Sequence, residues 1–179
     1  MARDSKCLVI DTDIVRSAGG IGAQDGRSKC CREFLNEVRD TNHKVVTTEA
    51  IREEWYKHQS RFARTWLVSM MAHKRVCWVD APANDELRHK VEVVAFSENK
   101  RRAMLKDIHL VEAAFKADKI VISMDEKVRN CFHETAQTIG ILKRIAWVNP
   151  SNDEETPLEW LQDGAELQKE RLLGYSEEG

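Results

Sequence analysis

No stretch of this sequence approaches the ~20 consecutive apolar residues that a membrane-spanning helix needs, so a bilayer-embedded chain is not expected. The five cysteines, Cys7, Cys30, Cys31, Cys77 and Cys131, form no CxxC pair and no zinc-like spacing. Without a disulfide framework they point to reduced thiols. Cys7 and Cys77 lie in apolar strand-like runs, where cysteine acts as a small hydrophobe. The six histidines include no HxxxH pair. A dominant charge is missing too: the formal net charge is -2 and the pI is about 6.3. That balance argues against general polyanion binding but leaves room for a local basic patch. Internal repeats and low-complexity segments are absent. The first strand-like run begins a few residues after Met1, which leaves no room for a signal peptide, and a cytoplasmic protein is expected.

Nucleotide-binding loops are excluded as well. In SAGGIGAQDGRS (17–28), Gly26-Arg27-Ser28 has Ile21 where a Walker A loop needs glycine, and Arg27 replaces its lysine. Gly20 and Gly22 are followed by Asp25, which breaks the dinucleotide fingerprint. A flexible loop is the remaining reading.

What the chain does contain suits one soluble domain. At 179 residues, 42% hydrophobic and 32% charged, it can bury one substantial core and is too short for two. Short apolar runs at 7–11, 44–47, 76–79, 120–123 and 145–148 read as strands. Helical spacing predicts helices at 28–39, 48–72, 85–105, 106–117 and 127–138. This alternation predicts an α/β fold, a three-layer α/β/α sandwich with a central, mostly parallel sheet of four or five strands. The expected domain covers 1–152. Thr156 and Glu159, with Pro157 between them, have the spacing of a capping box. They open an amphipathic tail (153–179) carrying Trp160, Leu161 and Leu172, which packs on the domain or binds a partner.

Ligands of open parallel sheets bind beyond the carboxyl ends of the strands. Acidic residues gather there. Asp11 ends the first strand, Asp13 follows, and Asp125 stands two residues past the run IVIS. Asp107 is read as opening the helix that leads into that strand. Glu49, Glu53 and Glu54 follow the second strand. At ~100° per residue, Glu53 lies opposite the apolar stripe of Ile51, Trp55 and Phe62, facing solvent, and Glu54 sits at the stripe's border. Glu54 is therefore the candidate. Asp11, Glu54, Asp107 and Asp125 thus come from four segments toward one sheet edge, with Asp13 as a possible fifth ligand. Such oxygen ligands suit one or two Mg²⁺ or Mn²⁺ ions, and phosphodiester hydrolysis uses ions of this kind.

The same residues carry a family resemblance. VIDTD (9–13) resembles the opening motif of PIN-domain nucleases. VVTTEAIREEW (45–55) is similar to their second motif, Lys106–Ala117 to the third, and IVISMDEKV (120–128) to the fourth; IAWVNPSN (145–152) is similar to the last strand and its proline. The resemblance spans roughly residues 5–152. It implies a PIN-like fold and a metal-dependent endonuclease, an endoribonuclease acting as a toxin or defence effector, with Asp11, Glu54, Asp107 and Asp125 as catalytic metal ligands. Asp13 departs from the asparagine of many relatives. Thr12 and Ser123 are expected to orient carboxylates from behind. Arg61, Arg64, Lys100, Arg101 and Arg102 are candidates for contacting RNA or single-stranded DNA, and a regulatory protein partner or self-association is also expected. The competing reading is an inactive PIN-like scaffold that binds RNA or protein.

Overall fold

The computed structural model describes residues 4–177. Five short strands form one sheet: β1 (Cys7–Ile10), β2 (Lys44–Thr47), β3 (Val76–Trp78), β4 (Ile120–Ile122) and β5 (Ala146–Val148). Their order is β3-β2-β1-β4-β5 and every pairing is parallel. The buried runs of β1, β4 and β5 are apolar throughout, as sheets covered on both faces require. Among the described residues, eight α-helices provide that cover and complete the three-layer α/β/α sandwich. The chain leaves β1 toward β2 on one side and returns to β4 on the other. The direction of strand progression therefore reverses between β1 and β4, and a crevice opens at such a switch point. Among the described residues, no helix is long and apolar enough to cross a membrane.

The first helices follow the local chemistry closely. Helix α1 (Thr12–Ser17) starts directly after Asp11, ahead of the glycine-rich loop and outside the helices expected from spacing. Helix α2 (Gly26–Asp40) is capped by Asp25, whose side chain accepts from the Ser28 N–H. The long helix expected over 48–72 is instead two, α3 (Glu49–His58) and α4 (Arg61–Ala72). Ser60 makes the break. Its hydroxyl accepts from the Ala63 N–H at 3.0 Å and donates to the Ala18 carbonyl at 2.5 Å, while its own N–H donates to Val15. A cap and a tie to the segment around α1 outweigh continuation of the helix.

A second correction moves Asp107. The break expected near residue 105 lies at 95–97, between α5 (Asp85–Val94) and α6 (Glu98–Phe115), where Ser97 caps α6 by accepting from the Lys100 N–H. Asp107 is consequently in the middle of α6 rather than at a helix start. Strand length explains why it still reaches the sheet edge. From Asp107 to Phe115 the helix rises ~12 Å, close to the ~10 Å of a three-residue strand such as β4. Asp107 is level with the carboxyl ends of the strands, and the earlier turns of α6 overhang them as a wall.

After α7 (Glu126–Ala136), a 3₁₀ turn at Gly140–Arg144 leads into β5. The tail differs from expectation as well. Helix α8 covers only Pro157–Gln162, and Thr156 adopts a left-handed φ of 41° with no side-chain cap. Gly164 and Ala165, both at positive φ, end the helix. The chain then folds back so that Leu172 bridges Ala146 of β5. Trp160, Leu161, Ala165 and Leu173 join the main core, and the buried His43 ring bonds the Leu161 carbonyl at 2.9 Å. The tail packs on the domain.

Candidate functional site

A cleft of about 460 Å³ opens over the carboxyl ends of the strands. Asp11, Thr12, Asp13, Glu54, Asp107 and Asp125 all line it. Each arrives by a separate local device. The Asp11 N–H donates to the Ile122 carbonyl at 2.9 Å, which holds the end of β1 against β4. Thr48 caps α3 by accepting from Ile51, and the buried Trp55 indole donates to the Ile10 carbonyl at 3.2 Å. That bond fixes the rotation of α3 against the end of β1, so Glu54, one residue earlier, stands over the cleft. Asp125 caps α7 through one carboxylate oxygen, which accepts from the Val128 N–H at 3.0 Å.

Ser123 ties the floor together. It is fully buried, and its hydroxyl lies 2.8 Å from Asp11 Oδ2 and 3.3 Å from Asp13 Oδ2, while it accepts from the Asp125 N–H at 3.1 Å. A hydroxyl has one proton to give. The shorter contact assigns it to Asp11, which leaves Asp13 Oδ2 to the Met124 N–H at 2.9 Å. Asp13 Oδ1 is buried and has no hydrogen-bond partner among the described residues. Such an atom calls for a proton or a cation.

The charges of the cleft oppose one another. Burial raises the Asp11 carboxyl above its usual range, against the Ser123 hydrogen bond and the first amides of α1, which favour the charged form. Burial and the neighbouring Asp11 push Asp13 up to about 7. Burial, then Asp11, also raise Asp107 to about 7, with smaller contributions from Asp125 and Glu54 and a counteracting one from Lys106. Burial and mutual repulsion of the carboxylates outweigh the nearby positive charge of Lys106 and His109.

The donor set is hard oxygen throughout, and the orphaned Asp13 Oδ1 adds an acceptor without a donor; both fit Mg²⁺ or Mn²⁺. Among the described residues, however, no group of three or more His, Cys, Asp or Glu side chains is drawn together tightly enough to hold an ion as it stands.

The basic residues differ from the sequence reading. Arg61, Arg64, Lys100, Arg101 and Arg102 do not line the cleft. Lys100 pairs with Glu134 at 2.6 Å, and Arg101 and Arg102 pair with Glu98 at 2.7 and 3.9 Å. The cationic lining comes instead from Arg16, Arg88 and Lys106, with His58 and His109. His109, two residues past Asp107, bonds the Lys106 carbonyl and lies near enough to favour the charged form of Asp11. Glu53 is exposed as expected, but on the cleft's rim. Lys106 and His109 share a helix with Asp107, and that proximity was the available signal. No motif marks Arg88.

No protein-family model matches this chain, and no curated protein sequence matches it.

Proposed function

We propose that the protein is a PIN-like, metal-dependent nuclease that hydrolyses phosphodiester bonds in RNA, or alternatively in single-stranded DNA. The observation that carries this reading is the convergence of Asp11, Glu54, Asp107 and Asp125, from four separate segments, on one cleft at the switch point of a parallel sheet. Asp11, Asp13, Asp107 and Asp125 would hold Mg²⁺ or Mn²⁺, with Glu54 closing the set from α3. When bound, the ion supplies positive charge and acidifies a water for attack on phosphorus. The protein's own groups do the rest. Ser123 keeps Asp11 in one orientation, the Met124 N–H does the same for Asp13, and Arg16, Lys106 and His109 offer charge to phosphate oxygens along the cleft wall. No covalent nucleophile is required.

An inactive scaffold has no use for carboxylates held above their normal titration range, so the enzymatic reading is favoured. A free cellular nuclease is hazardous, and we assign the protein to the toxin or defence effectors, acting in the cytoplasm under control of a protein partner. The test is cleavage of labelled RNA and single-stranded DNA with Mg²⁺ or Mn²⁺, comparing wild type with Asp11→Asn and Asp125→Asn. Cleavage by wild type alone is expected. Equal cleavage by both variants would sink the site, and tight RNA or protein binding without any cleavage would favour the scaffold.

A further inference from the structure

Arg88 has an unusual setting for a cleft arginine. It sits on α5, with its side chain about one-third exposed, and its Nε and Nη2 donate to Glu112 Oε1 and Oε2 at 2.8 and 2.9 Å. Glu112 belongs to α6, and its side chain is only 3% exposed. The same Oε1 accepts from the Asn84 N–H at 2.8 Å, and Asn84 in turn caps α5 by accepting from the Leu87 N–H. A buried carboxylate thus spends three hydrogen bonds on the start of α5 and on the back of one guanidinium. The front is left for the cleft: Arg88 Nη1 has no hydrogen-bond partner among the described residues, and Arg88 lines the same cavity as Asp11 and Asp107.

A planar guanidinium anchored along one edge cannot collapse onto the acidic floor. Its remaining donors are already oriented, so little rotamer freedom is lost when an anion meets them. Lys106 and Arg16, both exposed, have no such anchor. We propose that Arg88 grips a backbone phosphate of the nucleic-acid strand in the cleft, with Glu112 as its positioning residue. This assignment rests on the nuclease reading above. It names a preformed phosphate contact in the lining of the cleft and places it on α5, in the same cavity as Asp11 and Asp13.

Neutralising Arg88 alone strands a buried carboxylate, so the decisive variant is Arg88→Gln combined with Glu112→Gln, which removes both charges and keeps the shapes. The probe is a fluorescein-labelled single-stranded RNA of mixed sequence, with a DNA counterpart. Binding is followed by anisotropy in EDTA over a range of salt, and cleavage is followed in parallel with Mn²⁺. The double variant should bind about tenfold more weakly. Its slope of log affinity against log salt should fall by about 0.7, as expected for one lost single-strand phosphate contact. Arg88→Lys should keep most of the slope, because it keeps the charge. A merely structural brace would change thermal stability and leave the slope alone. Wild-type binding and cleavage, with the double variant matching wild type in affinity and slope, would overturn the assignment while the nuclease reading stands. Failure of wild type to bind or cleave either strand removes the nuclease reading and the Arg88 assignment with it.

Discussion

Replacing Asp107 with asparagine should stabilise the metal-free protein, and the gain should grow with pH. Burial and the neighbouring carboxylates raise the Asp107 carboxyl from 3.8 to about 7. Between those values the folded state keeps a proton that the unfolded chain has already released. Stability is therefore fully present below pH ~4 and is lost progressively as pH rises through about 7. At about 1.4 kcal/mol per unit, the ceiling is roughly 4 kcal/mol. Asp107 faces an open, hydrated cleft, and screening reduces this to about 1–2 kcal/mol. Asp107→Asn keeps the shape and has nothing to ionise. In metal-stripped urea unfolding, its advantage over wild type should rise from near zero at pH 4 to about 1–2 kcal/mol at pH 8. In thermal melts at pH 8 that is ~2–8 °C for a domain of this size. Carboxylates remote from the cleft titrate alike in both proteins and cancel in the difference, while relief of the neighbouring Asp11 adds to the gain in the same direction. On the proposed metal reading, added Mn²⁺ should raise the melting temperature of wild type more than that of the variant, which has lost one carboxylate ligand. An advantage that is flat, or that shrinks as pH rises, would refute the picture of strained carboxylates.

Three further outcomes are expected. Ser123→Ala removes the partner of Asp11 Oδ2 and of the Asp125 N–H, and should cost about 1–3 kcal/mol in chemical denaturation; a neutral result would mean that water replaces the hydroxyl. Trp55→Phe deletes the bond to the Ile10 carbonyl while keeping most of the packing, and should lower metal-dependent cleavage through a loosened Glu54 with a stability loss of about 1 kcal/mol; unchanged cleavage would separate Glu54 from the chemistry. Lys119→Gly should stabilise the fold by roughly 0.5–1 kcal/mol, since Lys119 holds a left-handed φ of 61° just before β4, and a drop in melting temperature would contradict that strain.

Much of the fold is legible in the sequence because its strands are short apolar runs that end abruptly. Asp11 and Asp125 can be read directly from those endings, and Glu54 follows from helical phase. Asp107 shows where this reasoning weakens. The residue is recognisable, but its place in α6 depends on a single cap at Ser97, and nothing in the basic run at 99–102 signals that the helix continues through it. The tail fails for a related reason. Thr156 and Glu159 have capping-box spacing, yet Thr156 takes a left-handed conformation without capping the helix, and the Trp160 indole donates to the Glu166 carbonyl back across the turn at 2.9 Å. Arg88 is the least legible residue. Its orientation depends on Glu112, one helix later in the chain, and such a pairing leaves no periodic trace.

The pairing of β1 with β4 also has a temporal consequence. Val9 aligns with Val121, so the neighbours that flank the switch point lie far apart in the chain and are joined by no hairpin. Contacts this distant form slowly and only after the intervening segment has been synthesised. A nascent chain that has already made β1, β2 and β3 carries Asp11, Asp13 and Glu54 but has neither the Ser123 hydroxyl that orients Asp11 nor the carboxylate of Asp125. Until β4 leaves the ribosome and docks, the growing polypeptide has half a cleft, and the acidic cluster at the switch point is not yet assembled.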